Sequence, residues 1–489
     1  MSTVQRIAKN ASFLFLGQVI AAILSLILLA FLARYLGDVQ FGKYSFAFAF
    51  TSLFIIIADL GLNTLSIREI ARTPQKASEY LSTISITKLA LSLVMVGLIA
   101  IIINLMHYPQ DTTMAVYIMA LVTVLTTLST FFHSIFRAFE RMEYEALTIV
   151  AERVLIVGAA IAALSLGYGL VAIVFAILVA EVVACALTFI ICIKKFAKPK
   201  LAFDFSLAKR LVKAAIPFGM AIVFTTIVFH TDTVMLSIMK GDATVGWYSA
   251  AYRLVLGTLF LSDAFIISVY PVLSRYFVSD RDSLVIGYEK ALKFLAILAI
   301  PIGIGTTVIA SKIIFLLYGA DFANSVTALQ ILIWAASFLF VSRIVGYTLA
   351  SVDRQIVDAR VCGMGALLNV ILNLILIPRF SYIGAGIASV VSQLFVFAVE
   401  FNYLQKHLHR INLFRIVLKP IGAALIMGGI LYALDSILGT TWFNLVAMIL
   451  SAIVIYPVLL YLFKAFDQQE INIMKDVFKS IIAWRKRVL

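Results

Sequence analysis

No stretch of this chain is polar enough for long enough to build a soluble domain. Only 13% of its 489 residues are charged, against about 25% in soluble domains. No polar segment runs beyond roughly 30 residues, short of the ~50 that a domain needs. Cysteine is scarce too. Cys185, Cys192 and Cys362 all lie in apolar runs, and no CxxC or Cys/His pair offers a metal site, so they read as small packing residues. What the chain has in excess is hydrophobic residues, 63% of the total, with a mean hydropathy of +1.06. That composition describes a multi-spanning membrane protein. The first apolar run, residues 11–33, is too long for a cleavable signal and lacks a clear small-residue cleavage site.

At about 20 apolar residues per span, the chain reads as about fourteen transmembrane helices. The expected ranges are 11–34, 44–65, 84–105, 115–136, 148–166, 170–193, 214–238, 250–274, 291–311, 326–346, 360–378, 384–404, 416–436 and 443–464. Gly167-Tyr168-Gly169 is read as a tight turn, because one helix over 148–193 would be about 69 Å long. Of the 39 Lys and Arg residues, about 32 fall at the termini or in loops on their side, and about five on the other. Lys194, Lys195, Lys198, Lys200, Lys209, Arg210 and Lys213 crowd one loop, and Arg485, Lys486 and Arg487 end the chain. This asymmetry places both termini in the cytoplasm. It also explains the net charge of +14 as topology and lipid attraction rather than nucleic-acid binding.

One segment occurs twice. Gly37-Asp38-Val39-Gln40-Phe41-Gly42-Lys43-Tyr44-Ser45 reappears 204 residues later as Gly241-Asp242-Ala243-Thr244-Val245-Gly246-Trp247-Tyr248-Ser249. The same offset pairs Lys9 with Lys213 and Asp59 with Asp263. Six spans separate the copies, so the repeats are parallel, related by an axis along the membrane normal. The expected fold is all-α: two six-helix lobes, 1–200 and 201–410, around a central cavity, with 411–489 adding two helices and a basic cytoplasmic tail.

Four stretches carry a family resemblance. They are Ala33-Arg34-Tyr35-Leu36-Gly37 through Phe41-Gly42-Lys43-Tyr44-Ser45, Asp59-Leu60-Gly61-Leu62 through Arg68-Glu69-Ile70-Ala71-Arg72, Phe136-Arg137-Ala138-Phe139-Glu140-Arg141-Met142, and Pro217-Phe218 through Asp232 to Gly246-Trp247-Tyr248-Ser249. With them the chain resembles the oligosaccharide (polysaccharide-biosynthesis) flippases of the multidrug/oligosaccharidyl-lipid/polysaccharide exporter superfamily. The resemblance implies a V-shaped pair of lobes in the cell membrane. It also implies movement of a polyprenyl-pyrophosphate-linked oligosaccharide from the cytoplasmic to the outer leaflet. The expected partners are that lipid-linked oligosaccharide, membrane lipids and glycan-assembly enzymes, and no nucleic acid. No cofactor is expected beyond a coupling ion, H+ or Na+.

Several residues carry chemistry in apolar surroundings. Asp59 and Asp263 lie about 13 residues into spans two and eight, where an acid facing lipid costs at least ~2.5–3.5 kcal/mol. Either they bind a coupling ion or pair with a cavity base, or they are structural acids at a local turn, which Asp59-Leu60-Gly61 suggests. Glu181, in mid-span six, is either protonated and hydrogen-bonded or lines water. In span seven Thr226, His230, Thr233 and Ser237 share one helical face beside Asp232. That face is a polar cavity wall or a helix–helix interface. In span one Gln18 and Ser25 are seven apart, and their face could wall the other lobe. Arg34, Lys88, Arg253 and Arg343 are the cations available to a pyrophosphate, because arginine holds phosphate oxygens bidentately, although each can also snorkel to headgroups. Glu140-Arg141 and Asp353-Arg354 follow spans four and ten and suggest a cytoplasmic gate or a duplicated structural pair. Pro271, Pro301 and Pro457 fall within spans and are candidate bending points.

Two further functions compete with the flippase reading. A cation-coupled multidrug-type exporter of the same fold would use Asp59, Glu181 and Asp263. A membrane-embedded enzyme would need a nucleophile–base constellation or a metal cluster, and the sequence offers neither.

Overall fold

The apolar runs become helices. The computed structural model describes residues 3–199 and 203–466, and no strand occurs among the described residues. Lys200, Arg485, Lys486 and Arg487 lie outside them, as does the side chain of Lys9. In chain order the α-helices are α1 (Thr3–Leu53), α2 (Ile55–Asp59), α3 (Leu62–Arg72), α4 (Ala77–Leu105), α5 (Gln110–Ala138), α6 (Met142–Ser165), α7 (Leu170–Lys195), α8 (Phe205–Lys240), α9 (Asp242–Thr258), α10 (Phe260–Ser279), α11 (Arg281–Leu317), α12 (Ser325–Ser351), α13 (Gln355–His407), α14 (Leu413–Ile437) and α15 (Trp442–Leu462). Eleven helical segments among the described residues are long and apolar enough to cross a membrane. Helices suit that setting because they satisfy their own backbone groups.

Backbone chemistry sets where the helices stop. Asp204 caps α8 by accepting from the amides of Ser206 at 2.8 Å and Leu207 at 3.0 Å. Asn412 and Thr441 cap α14 and α15 in the same way. Inside α1 the helix breaks at Gly37 (φ 69°, ψ 177°), a conformation that glycine adopts without a Cβ clash. Inside α13 the break is at Ser381 (φ 54°, ψ −135°). The turn expected at Asp59-Leu60-Gly61 is present, with Leu60 and Gly61 both left-handed between α2 and α3. The expected span over 44–65 is therefore interrupted near its end, and α3 continues the chain as a short helix. Gly167, also left-handed, turns α6 into α7. Pro271, Pro301 and Pro457 all sit inside continuous helices.

The chain divides into two compact units. The first comprises 1–257, 317–328 and 362–392, and the second 258–316, 329–361 and 393–489. In the first, Phe131, Phe136, Leu62, Ile84 and Leu207 belong to one buried apolar cluster. In the second, Ile309, Met427, Leu431, Leu445 and Met448 hold α11, α14 and α15 together.

Within the first unit the two copies of the repeated segment meet. Gly241 (φ 84°, ψ 179°) has nearly the same conformation as Gly37. The two turns then pack reciprocally. A Cβ on Gly42 would lie 2.7 Å from the carbonyl carbon of Asp242, and one on Gly246 would lie 2.9 Å from that of Asp38. Each turn thus offers a glycine to the other's aspartate backbone, as in a two-fold contact. Trp247 locks the arrangement, its indole N–H donating to Asp38 Oδ2 at 2.9 Å.

Candidate functional site

Of the four cations the sequence singles out, the structure commits two to acids. Lys88, on α4, is fully buried and donates to Asp59 Oδ1 at 2.6 Å and to Asn63 Oδ1 at 3.1 Å. Asp59 Oδ1 also accepts from the Asn63 amide at 3.3 Å. This is a buried ion pair sealed at the α2–α3 break. In the second unit Arg343, on α12, pairs with Asp263, on α10. That pair is wetter, with the Asp263 side chain 45% exposed against 8% for Asp59. The duplicated aspartates therefore both find cations, but in different surroundings.

Arg34 is exposed, and its Nε donates to the carbonyl of Leu317 at 2.8 Å. Arg253, on α9, forms no ion pair with an acid among the described residues. Its guanidinium instead stacks 4.3 Å from the ring centroid of Phe48, on the second half of α1. A ring face attracts the cation without neutralising it. His230, on α8, packs edge-on against the same ring at 5.9 Å. Arg153, on α6, lies within Coulombic range of Arg253, and both are within range of the buried Tyr44. Half-buried Arg253, Phe48 and His230 thus form a cationic, aromatic centre drawn from α1, α8 and α9.

A second cluster surrounds Asp232, which is 2% exposed. Its carboxylate accepts from Tyr248 Oη at 2.6 Å, Asn373 Nδ2 at 2.6 Å and Ser389 Oγ at 2.5 Å. Asn373 also donates to Asn369 Oδ1 at 3.0 Å. These donors allow a carboxylate to be buried. The sequence reading found Asp232 but missed Asn369, Asn373 and Ser389. Two asparagines one turn apart in an otherwise apolar helix were the available signal.

The polar stripe on α8 is buried at its outer residues and partly accessible at the others. Thr233 and Ser237 are buried, and Ser237 Oγ hydrogen-bonds at 2.9 Å with Oη of Tyr108, in the turn between α4 and α5. Thr226 and His230 remain partly accessible. Glu181, on α7, is 1% exposed. Its Oε1 accepts from Thr126 at 3.0 Å, while its Oε2 has no hydrogen-bond partner among the described residues. Glu152, on α6, lies within Coulombic range of it and pairs with Arg153 at 3.4 Å. Gln18 is exposed on α1.

Glu140 and Asp353 occupy matching helix ends. Both have positive φ, 55° and 60°. In each case the following arginine amide reaches back five residues, Arg141 to the Phe136 carbonyl at 2.9 Å and Arg354 to that of Leu349 at 2.8 Å. These are Schellman-type helix ends. Arg141 pairs with Glu143 at 2.5 Å. The neighbouring bidentate pair, Arg137 Nε to the two oxygens of Glu145 at 3.0 and 2.9 Å, was not anticipated from sequence.

Long apolar helices, eleven segments of them able to cross a membrane among the described residues, with acids buried among polar partners, define a multi-pass membrane protein. A family model described as "Polysaccharide biosynthesis protein" matches residues 7–277, more than half of the chain, and the chain belongs to that family. It is 25% identical over 439 residues to the "Probable low-salt glycan biosynthesis flippase Agl15" of Haloferax volcanii, covering 88% of this chain and 91% of that one. It is 22% identical over 418 residues to the "Capsular polysaccharide biosynthesis protein CapF" of Staphylococcus aureus, covering 82% and 99%. Among solved structures it matches the lipid II flippase MurJ in an inward closed conformation. The TM-score is 0.78 at 19% identity, over 92% of this chain and 98% of that one. The fold is thus of the MurJ kind.

Proposed function

We propose that the protein is a flippase that moves a polyprenyl-pyrophosphate-linked oligosaccharide from the cytoplasmic to the outer leaflet by alternating access. It would serve assembly of a cell-surface polysaccharide or glycoconjugate. The observation that carries this reading is Arg253, a half-buried guanidinium held on Phe48 with no carboxylate paired to it among the described residues. An uncompensated cation at membrane depth is costly unless an anion visits it. A pyrophosphate is an anion that arginine grips well. The names of the glycan-biosynthesis relatives favour the same cargo. A multidrug-type exporter would draw on Asp59 and Asp263 as free acids, whereas each is ion-paired.

Fourteen crossings fit the helices. Splitting α1 at Gly37 and α13 at Ser381 raises the eleven spanning segments to thirteen, and α8 makes fourteen. In this reading 1–200 and 201–410 are the two repeat lobes, 411–489 is the appendage, and both termini face the cytoplasm of the cell that holds it in its cell membrane. The protein carries cargo rather than converting it, and glycan-assembly enzymes are its expected neighbours. Asp232 and Glu181 are the acids proposed to take a coupling H+ or Na+.

The test is translocation of an extracted lipid-linked oligosaccharide in proteoliposomes, read by protease- or lectin-accessible glycan at the far face. Arg253→Gln is expected to abolish transfer while leaving the amount and melting temperature of the protein unchanged. Full transfer by that variant refutes the cationic-centre mechanism. Outside labelling of a cysteine placed at Ser206, or cytoplasmic labelling at Thr440, refutes the orientation.

A further inference from the structure

The described surface of the first unit holds a pocket of about 570 Å³, lined by Tyr35, Leu36, Gln40, Asp111, the turn Gly167-Tyr168-Gly169 and the first residues of α7. Its volume lies within the ~300–1,000 Å³ typical of small-ligand sites. Three backbone features build it. The Gly37 break ends the first half of α1 and brings Tyr35 and Gln40 to one rim. Left-handed Gly167 (φ +81°) turns the chain between α6 and α7. Its missing Cβ leaves the Tyr35 hydroxyl 3.8 Å from where that atom would sit. Gly169 precedes α7 without a side-chain cap, so the first-turn amides of the helix lie uncapped in the wall.

The chemistry of this wall is selective. Tyr35 and Tyr168 are 51% and 53% exposed, and neither ring pairs with another aromatic among the described residues. Their hydroxyls and the Gln40 carboxamide have no hydrogen-bond partner there either. The single formal charge is Asp111, and Lys43 neutralises it at 2.6 Å. No cation is left over to meet a phosphate, and no acid to meet an amine. An unsubstituted hydrocarbon tail would strand the polar groups. The wall suits an uncharged ligand with an apolar face for tyrosine and a rim of hydroxyls for the carboxamide, the phenols and the spare lone pairs of the carboxylate. A pyranose ring has both.

We propose that this pocket is a saccharide subsite, binding one neutral pyranose ring of the cargo glycan against Tyr35 and Tyr168, with its hydroxyls bonded to Gln40 and Asp111. The identity of the ring as cargo rests on the flippase reading, whereas the sugar binding itself does not. The site shares α1 with the Arg253 centre but none of its residues, so glycan and pyrophosphate would be held by different side chains.

The experiment is saturation-transfer NMR on the full chain in phospholipid nanodiscs free of glycolipid. The probes are glucose, galactose, N-acetylglucosamine and rhamnose, with glycerol as the acyclic control. At least one pyranose is expected to receive saturation and glycerol none. The signal should fall several-fold in Tyr168→Ala and in Gln40→Ala, survive in Tyr168→Phe, and persist undiminished in Arg253→Gln. No transfer to any of the four sugars overturns the proposal. So does a signal unchanged in the Tyr35→Ala/Tyr168→Ala double variant. Saturation that reports phospholipid headgroups in place of sugar likewise overturns it in favour of a lipid contact. Sugar binding without oligosaccharide translocation by the wild type would leave the subsite standing and remove the flippase reading. Translocation without sugar binding would do the reverse.

Discussion

Replacing Gly42 with alanine puts the reciprocal turn contact under direct strain. The new methyl would overlap the Asp242 carbonyl oxygen outright, and would lie 2.7 Å from that group's carbon and 3.1 Å from the Gly246 nitrogen. Non-bonded heavy atoms pack best at about 3.5–4.0 Å, so the two backbones must separate by more than about 1 Å. Neither neighbour is a flexible side chain. Both belong to the first turn of α9, which the Trp247–Asp38 hydrogen bond ties back to the first copy. Overpacking of this kind costs about 1–3 kcal/mol. Against it stands the gain of alanine over glycine inside a helix, up to ~1 kcal/mol. The clash should win, and Gly42→Ala should destabilise by about 1–2 kcal/mol after that offset. Gly246→Ala, facing the Asp38 carbonyl carbon at 2.9 Å, should behave alike. The double variant should cost less than the sum, because one separation relieves both clashes.

Thermal unfolding in nanodiscs, followed by tryptophan emission, reads this, since Trp247 sits in the contact. Gly97→Ala is the control: nothing lies within 4 Å of its Cβ, so only the helix gain remains. Gly42→Ala melting at or above the wild type, with Gly97→Ala no better, would show that the two turns do not bear on each other as described.

Three other outcomes follow from the same geometry. Lys88→Met leaves Asp59 buried without its cation and should cost about 3–5 kcal/mol, with much of that recovered in Asp59→Leu/Lys88→Met; chemical or thermal denaturation of the single and double variants checks it, and a single variant as stable as wild type would show the pair to be wet. Asp353→Gly should be neutral or stabilising by up to ~1 kcal/mol and leave transport intact, because Asp353 serves as a left-handed helix end; a transport defect at normal stability would restore a gating role. The Asp204 cap is pH-dependent: the Leu207 amide, then the Ser206 hydroxyl, hold its carboxyl below the ordinary range. A folded value below the unfolded one makes the cap's contribution present above the unfolded value and lost as pH falls through the folded one. Protection of the Ser206 and Leu207 amides, taken against the intrinsic exchange rate at each pH, should therefore fall in acid, and Asp204→Ala should show the low protection at neutral pH.

Much of the fold was legible because its determinants are one-dimensional. Hydropathy marks a helix that must cross lipid, and glycine marks a turn that needs positive φ, as at Gly37, Gly167 and Gly241. The repeat was legible for the same reason, since two copies of one turn need the same residues at the same steps. The division at Ser381 was legible as the gap between the expected spans 360–378 and 384–404, although serine itself gives no warning of a positive φ. Partners were the least legible feature. Lys88 and Asp59 are 29 residues apart, and Arg343 and Asp263 are 80 apart. Nothing local joins them. Asp232 could be suspected from its apolar run, but its donors Asn373 and Ser389 come from a helix more than a hundred residues away.

That difference bears on how the candidate cations should be ranked. In sequence, Arg34, Lys88, Arg253 and Arg343 are four equivalent charges in apolar company. In the structure, a buried acid removes Lys88 from the list and a half-exposed one engages Arg343, while Arg34 spends a donor on a backbone carbonyl at a helix end. Arg253 rests on the ring of Phe48, which attracts a cation without cancelling its charge. Membrane proteins are under pressure to neutralise each such charge. A guanidinium left without an acid partner among the described residues is the arrangement that the proposed pyrophosphate would use. A resident carboxylate would hold Arg253 more cheaply but would compete with a pyrophosphate for the same donors. The missing acid is thus what the transport reading requires at this position, and it sets Arg253 apart from Lys88, whose acid is present.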